Sequence, residues 1–164
     1  MTLPEPNALI DSLAAQLAPV MKTDCALIGI HTGGVWLRDE IIQRLGGDHL
    51  LGELDVSFYR DDFAQSGLHA EVKPSRIPFD IEGRTVILFD DVLYTGRTVR
   101  AAINLLFDYG RPASIRLVVL IDRGGRELPV CADYTGLRLD LPTNEHIDLL
   151  RSEAGALSLV RGPW

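Results

Sequence analysis

The sequence has few cysteines and no long apolar run. Its two cysteines, Cys25 and Cys131, lack the CxxC spacing of a redox or metal-binding pair, so we expect both to be reduced packing residues. No stretch approaches the roughly 20 apolar residues of a membrane-spanning helix. The N-terminus has no positively charged region before an apolar core, which a secretory signal would have. These absences predict a cytoplasmic protein that does not contact a membrane.

Positive charge is also scarce. The chain has 16 lysines and arginines against 23 acidic residues, a formal net charge of −7. Broad, non-specific binding of nucleic acid needs a basic surface that displaces counterions, and this balance argues against it while allowing a local basic patch. Only Lys22 and Lys73 are lysine. Arginine dominates the rest, and arginine is the better bidentate partner for phosphate groups.

The composition is that of a globular domain. Hydrophobic residues make up 46% of the 164 residues and charged residues 24%. This length is enough for one hydrophobic core, and no repeat, low-complexity tract or linker divides it. We therefore expect a single domain over residues 1–164.

A strand, a loop and a helix follow one another in the middle of the chain. The apolar run Val86 to Phe89 is typical of a strand in a parallel sheet, and Ala101 to Phe107 repeats apolar residues at helical spacing. The loop between them lies at the carboxyl end of a strand, where open α/β sheets bind ligands.

The residue types of this loop favour a ribose 5-phosphate. Backbone N–H groups, two hydroxyls and a guanidinium at a helix start suit a phosphate dianion, and they come from Thr95, Gly96, Arg97 and Thr98. Asp90 and Asp91 would repel that phosphate, so they are better placed to accept hydrogen bonds from sugar hydroxyls or to help hold a divalent cation. The alternative is a strand end with an ordinary Asp cap and a glycine turn.

The run from Val86 to Thr98 resembles the phosphoribosyl pyrophosphate (PRPP) motif of the type I phosphoribosyltransferases. Three more stretches, residues 54–62, 110–115 and 122–129, resemble the subfamily of pyrimidine-operon regulators that also have uracil phosphoribosyltransferase activity. The resemblance extends from about Leu27 to Tyr134. It implies an α/β fold with a mostly parallel twisted sheet flanked by helices, and a flexible hood over about residues 59–78.

The resemblance also implies roles for particular residues. Asp90 and Asp91 would be catalytic, holding the ribose hydroxyls and contacting Mg²⁺ mostly through substrate or water, while residues 95–98 would bind the 5-phosphate. A second loop would bind the pyrophosphate through Thr32, Gly33 and Gly34, with Gly33 standing where arginine is usual.

Three further expectations concern the neighbours of these loops. His31 is expected to pack or hydrogen-bond locally at a strand end. Arg60, in the hood, would reach the pyrophosphate or else be an exposed arginine without a ligand. Uracil would bind, largely through backbone groups, at Ile121, Asp122 and Arg123, close to Gly125, which replaces a histidine familiar in the subfamily.

The function that the resemblance implies is formation of UMP and diphosphate from uracil and PRPP with Mg²⁺. Control of pyrimidine biosynthesis genes would be a second function, through uridine-nucleotide-dependent binding of UMP or UTP and of the pyr mRNA leader. Two alternatives stay open: an RNA-binding nucleotide sensor with little or no catalysis, and a purine phosphoribosyltransferase. A homodimer or tetramer is expected from the resemblance alone.

Several element boundaries are predicted less directly from the pattern. Residues 7–21 are predicted to form a helix capped by Asn7, and the alternation over residues 54–58 predicts a half-exposed strand. Residues 132–141 are predicted to form a closing strand and hairpin. Residues 144–150 resemble a late strand of the family only loosely.

Overall fold

The computed structural model describes residues 2–57 and 75–164 of the chain. In chain order the helices and strands are α1 (Pro6–Leu17), β1 (Ala26–Ile30), α2 (Gly33–Leu45), β2 (Leu50–Leu54), β3 (Thr85–Leu93), α3 (Arg97–Tyr109), β4 (Ser114–Asp122), β5 (Tyr134–Arg138), β6 (Glu145–Arg151) and β7 (Leu157–Pro163). None of the helices in these two ranges combines the length and the apolarity needed to cross a membrane.

The first five strands form one parallel sheet in the order β2-β1-β3-β4-β5. The strand order reverses between β1 and β3, because the chain leaves β1 toward β2 on one side and later adds β3 on the other. In open α/β sheets, the carboxyl ends of the strands at such a reversal form the ligand-binding crevice. The predicted α/β fold class is thus confirmed, and the loops after β1 and β3 lie at this crevice.

Helices cover both faces of the sheet. On one face Leu13 of α1 and Leu37 of α2 belong to the same buried cluster as Phe89 of β3, and on the other Leu106 of α3 belongs to the same cluster as Leu88. Every residue of β1 is buried. Burial on both faces explains why β1, β3 and β4 have continuous apolar runs, which the sequence pattern detected.

The two last strands, β6 and β7, pair as an antiparallel hairpin outside the main sheet. Ile147 and Leu149 of β6 are buried in the same cluster as α1. The prediction of a hairpin over residues 132–141 is wrong, since β5 in that segment pairs in parallel with β4. The predicted late strand at 144–150 corresponds to β6.

Other boundaries also differ from the sequence prediction. The first helix ends at Leu17, before Pro19, and its N-cap is Glu5 rather than Asn7. The edge strand β2 comes before the predicted strand at 54–58, and residue 58 lies outside the described part of the chain. In the predicted hood, 59–74 also lie outside it; Arg76 makes an isolated antiparallel bridge with Glu53. Both cysteines are free thiols, with Cys25 buried and Cys131 exposed, so the prediction of a packing role fails for Cys131.

Candidate active site

Two loops meet at the crevice between β1 and β3. The β1 loop, residues 31–34, enters α2, and the β3 loop, residues 94–98, includes the first turn of α3. Glycines allow α2 to start directly against β3: a Cβ built on Gly34 would lie 2.2 Å from the carbonyl oxygen of Phe89. A Cβ on Gly33 would lie 2.3 Å from both Cγ and Oδ2 of Asp91. The fold therefore brings the predicted pyrophosphate loop into contact with a predicted catalytic carboxylate.

Asp90 and Asp91 are buried inside the last part of β3, with 4% and 7% of their surface exposed. The sequence pattern predicted that the strand ends before these two residues, whereas β3 continues to Leu93. The backbone N–H of Asp91 donates to Oδ1 of Asp90 at 3.0 Å. Because strand geometry fixes both residues, their carboxylates are held in place before any ligand binds.

The β3 loop leads into α3, a helix of thirteen residues that begins at Arg97. Its N-cap residue is Gly96, which has φ +96°. That left-handed conformation favours glycine. The carbonyl of buried Thr95 accepts hydrogen bonds from the N–H groups of Glu127 and Leu128 at 2.9 and 3.0 Å. The first N–H groups of a helix have no partner within the helix, which makes a helix start suited to an anion. Here the N–H of Arg97 donates to the Thr95 hydroxyl at 3.3 Å, and the Arg97 guanidinium pairs with Glu127 at 2.9 Å.

Arg126 ties the β3 loop to the end of β4. Its guanidinium donates to the carbonyl of Tyr94 and, at 2.6 Å, to Oδ1 of Asp122, which is 2% exposed. Burial by itself would raise the pKa of the Asp122 carboxyl. The hydrogen bonds from Arg126 and from the N–H of Gly124, with the charges of Arg126 and Arg138, outweigh burial and hold that pKa below its ordinary value. Asp122 is therefore a buried anion that organises this corner of the site.

Arg123 connects the same corner to the C-terminal hairpin. Its guanidinium lies 3.7 Å from the centre of the Tyr94 ring and donates to the carbonyls of Glu145 and Pro142 at 2.7 and 3.0 Å. The backbone N–H of Arg123 donates to Leu93, and the carbonyls of Asp122 and Arg123 accept from residues 139 and 141. Ile121, Asp122 and Arg123 thus lie where β4 ends, and the backbone groups named here already have partners. Their predicted contact with uracil stays a prediction.

The ring of Tyr94 occupies the space beside Gly125. A Cβ built on Gly125 would lie 2.5 Å from Cε2 of that ring, and Gly125 has φ +76°. Both the ring and the backbone conformation therefore exclude a larger residue. This explains physically why the chain has glycine where the subfamily resemblance led us to expect histidine.

The β1 loop is held from the opposite side by β2. Nε2 of His31 lies 2.9 Å from Oε2 of Glu53, and the N–H of His31 donates to the carbonyl of Leu54 at 2.8 Å. Arg38 of α2 is 4% exposed and lies 3.5 Å from Oε1 of the same carboxylate. His31 thus hydrogen-bonds at the strand end, but its side-chain partner, Glu53, comes from the neighbouring strand β2 and was not anticipated.

Residues 4–148 match the family described as the Phosphoribosyl transferase domain. The chain belongs to the phosphoribosyltransferase family. Its relatives include the bifunctional protein PyrR of Pseudomonas fluorescens, 52% identical over 91% of each chain. The bifunctional protein PyrR of Pseudomonas syringae pv. tomato is also 52% identical, over 97% of this chain and 96% of that one. At this level of identity over nearly the whole length, the chain belongs with the PyrR proteins within that family.

Solved phosphoribosyltransferase structures share the fold. A hypoxanthine-guanine phosphoribosyltransferase from Bacillus anthracis superposes with a TM-score of 0.66 at 20% identity, covering 85% of this chain and 83% of that one. A hypoxanthine phosphoribosyltransferase from Staphylococcus aureus gives 0.65 at 23% identity, covering 85% and 75%. At such low identity the likeness supports the fold and says nothing about the base.

Phosphoribosyltransferases generally use Mg²⁺ together with PRPP. Within residues 2–57 and 75–164 there is no group of three or more side chains from His, Cys, Asp and Glu that could hold a metal ion. Magnesium is commonly bound through one or two carboxylates plus substrate phosphates. The adjacent carboxylates of Asp90 and Asp91 are of the kind that this mode of binding uses.

Sequence reasoning missed Tyr94, Arg126 and Glu53 as structural parts of the site. Arg126 follows Asp122 by four residues in a glycine-containing turn, a spacing that could have suggested the ion pair. Tyr94 was inside the recognised motif, but its contact with Gly125 joins two separate loops. Of the predicted site residues, Arg60 lies outside the described part of the chain and keeps its predicted role only as a prediction.

Proposed function

We propose that the protein transfers phosphoribose from PRPP to N1 of uracil, giving UMP and diphosphate. The observation that carries this proposal is the contact between Gly33 of the β1 loop and Asp91 of β3, at the crevice of a phosphoribosyltransferase fold. This contact supports the proposal because the pyrophosphate and the ribose of PRPP are adjacent, and the two loops that would bind them are in contact. The match of the chain to the PyrR proteins over nearly its whole length supports uracil as the base.

The proposed reaction needs placement and charge stabilisation more than a nucleophile. The bond between C1 of the ribose and the pyrophosphate oxygen breaks, and its electron pair stays on diphosphate. The bond from C1 to N1 of uracil forms, and the N1 proton is released to solvent. Positive charge develops at C1 as the first bond lengthens. The buried carboxylates of Asp90 and Asp91 would hold the ribose hydroxyls and stabilise that charge, because preorganised groups in a buried site do this without reorganising.

The two loops would hold the phosphates at either end of the ribose. N–H groups at the start of α3, with the hydroxyls of Thr95 and Thr98, would bind the 5-phosphate. The N–H groups of residues 32–34 would face the pyrophosphate, assisted by Arg60. Bound Mg²⁺ would neutralise part of the pyrophosphate charge, and the side chains of Asp90 and Asp91 would contact it mostly through substrate or water.

The uracil site would lie at the end of β4, near Ile121, Asp122 and Arg123. The backbone groups of these residues that already have hydrogen-bond partners would contribute to the uracil site by fixing the edge of the crevice. Arg123 and Arg126, which both contact Tyr94, would hold that residue and the β3 loop in position beside that edge.

Incubation of the protein with uracil, PRPP and Mg²⁺ tests this proposal, with UMP and diphosphate measured separately. We expect equal amounts of the two products and none when PRPP is omitted. Diphosphate release without UMP would show hydrolysis of PRPP and contradict the proposed transfer.

The second proposed function is regulation of pyrimidine genes through uridine-nucleotide-dependent binding of mRNA. The bifunctional name of the PyrR relatives favours it, and the dimer or tetramer expected from the resemblance would supply the RNA surface. The slope of RNA affinity against salt concentration tests it, because several phosphate contacts require a steep slope. A flat slope, or RNA affinity that UMP and UTP leave unchanged, would contradict this function.

A further inference from the structure

The carboxylate of Glu53 contacts side chains of both the β1 loop and α2. Oε2 lies 2.9 Å from Nε2 of His31, the first residue of that loop. Oε1 lies 3.5 Å from Nη2 of Arg38 in the second turn of α2. The Arg38 guanidinium also donates at 2.5 Å to the carbonyl of Gly52, so it is fixed to β2 as well. One acidic side chain therefore contacts both flanks of residues 32–34.

The backbone of Glu53 is fixed too. Its N–H donates to the carbonyl of Arg76 at 2.8 Å, and its carbonyl accepts from the N–H of Arg76 at 2.7 Å. Two residues later the N–H of Asp55 donates to the Ser75 hydroxyl at 3.0 Å. These hydrogen bonds fix the backbone from which the Glu53 side chain projects. The side chain is therefore a rigid support for the β1 loop beside it.

We propose that Glu53 is a positioning residue for pyrophosphate, acting through His31 and Arg38 on the β1 loop. This inference rests on the proposed function, since it assigns that loop to the pyrophosphate part of PRPP. The loop carries no arginine at position 33, and Gly33 lies against Asp91. The affinity of the β1 loop for pyrophosphate then depends on where the N–H groups of residues 32–34 are held. The contacts from β2 determine those positions.

Charge balance agrees with this role. A pyrophosphate group near the β1 loop is repelled by Asp90, Asp91 and Glu53, and attracted by Arg38. Pairing Glu53 with Arg38 reduces the negative charge that the ligand meets, and the contact with His31 orients the start of the loop. Glu53→Ala removes the orientation, whereas Glu53→Gln retains an acceptor of the same shape for His31.

Steady-state kinetics of Glu53→Ala and Glu53→Gln test the proposal, with PRPP and uracil varied separately. We expect Glu53→Ala to raise the KM for PRPP by roughly tenfold, the effect of losing one charge-assisted contact. The KM for uracil and kcat should stay within about twofold, because the lost contact holds pyrophosphate equally in the ground state and the transition state. Glu53→Gln should recover most of the PRPP affinity.

Asp39→Ala is the matched control. Asp39 also accepts hydrogen bonds from Arg38, at 3.0 and 2.8 Å, but it is the neighbour of Arg38 in α2 and its side chain is half-exposed. We expect Asp39→Ala to raise the KM for PRPP less than Glu53→Ala does, because Arg38 keeps its contacts with Gly52 and Glu53 and the contact of Glu53 with His31 is untouched. A double-mutant cycle of His31→Ala with Glu53→Ala should be non-additive, because both substitutions remove the same contact.

Equal losses for both substrates, an effect of Asp39→Ala as large as that of Glu53→Ala, or an additive cycle would overturn the proposal. Calorimetric binding of magnesium pyrophosphate gives a second readout that does not depend on turnover. If the unchanged protein forms no UMP, the proposed function fails, and the loss of pyrophosphate affinity in Glu53→Ala still decides the role of Glu53.

Discussion

Gly33 lies directly against the carboxylate of Asp91, with no room between them for even a methyl group. A Cβ on Gly33 would be 2.3 Å from Cγ and 2.7 Å from Cβ of Asp91. Contacts under 3.0 Å require that one partner moves, and Asp91 sits in a strand whose backbone is fixed by β1 and β4. The β1 loop and the carboxylates of β3 therefore form one packed unit.

This contact leads to a prediction about Gly33→Arg. By motif alone the substitution restores the arginine usual in the subfamily and should improve PRPP binding. The packing predicts the opposite: the Asp91 side chain must rotate away, and kcat should fall by roughly tenfold or more. Steady-state kinetics check this, with Gly33→Ala expected to show most of the same loss.

Gly162→Ala is the control for that experiment. Gly162 is in β7, and a methyl there would meet the His146 ring at 3.3 Å. We expect kcat to remain unchanged. An increase in activity of Gly33→Arg would mean that the loop and Asp91 are not packed as described.

Asp91→Asn separates catalysis from product binding. The amide keeps the shape and one acceptor but loses the charge that stabilises the cationic ribose. We expect kcat to fall by about 100-fold, the scale of one preorganised electrostatic contact. The Kd of UMP, measured by calorimetry, should change far less. Equal losses in kcat and UMP affinity would remove Asp91 from its proposed catalytic role.

Gly125→His tests the contact with Tyr94. A histidine there must adopt a left-handed backbone conformation and displace the ring whose Cε2 lies 2.5 Å from the Cβ position. The backbone alone costs about 1–2 kcal/mol, so we expect a lower Tm and a raised KM for uracil. In a Tyr94→Ala background the added cost should be smaller. The same loss in both backgrounds would show that the ring does not exclude the histidine.

Arg126→Ala should make the protein less stable in a pH-dependent way. Burial opposes ionisation of Asp122, but Arg126 and the Gly124 N–H hold its pKa below the ordinary value of 3.8. A carboxyl with a depressed pKa contributes stability above its unfolded pKa, and that contribution is lost as pH falls through the folded pKa. We expect a loss of about 2 kcal/mol near neutral pH, which shrinks as pH falls below about 4.

Urea denaturation at several pH values measures that difference. Arg138→Ala is the control, because Arg138 is 74% exposed and 3.5 Å from Asp122, and exposed ion pairs contribute little. A loss for Arg126→Ala that stays constant from neutral to acid pH would contradict the role of the Asp122 charge.

The sequence pattern predicted the buried parts of the sheet well because β1, β3 and β4 are covered on both faces and need continuous apolar runs. The edge strand β2 was misplaced for the opposite reason. It buries only Gly52 and Leu54, so it has no apolar run. The alternation from residue 54 to residue 57 does match alternating burial, with Leu54 and Val56 buried, but the strand itself ends at Leu54.

Contacts between distant segments were beyond the reach of local patterns. His31 and Glu53 are 22 residues apart, and Arg126 reaches Tyr94 across 32 residues. Motif resemblance gave the loops and their chemistry, since these are contiguous in sequence. The packing of Gly33 on Asp91 and of Tyr94 on Gly125 depends on how strands align in the sheet, which no spacing along the chain reveals.

The choice of base is the central claim, and competition between acceptors tests it most directly. Initial rates of nucleotide formation should be measured with PRPP, Mg²⁺ and uracil, hypoxanthine, adenine or orotate under identical conditions. We expect efficient formation of UMP from uracil, and kcat/KM values for the other bases that are lower by about 100-fold or more. Preference for a purine, or tight binding of UMP with no turnover of any base, would contradict it.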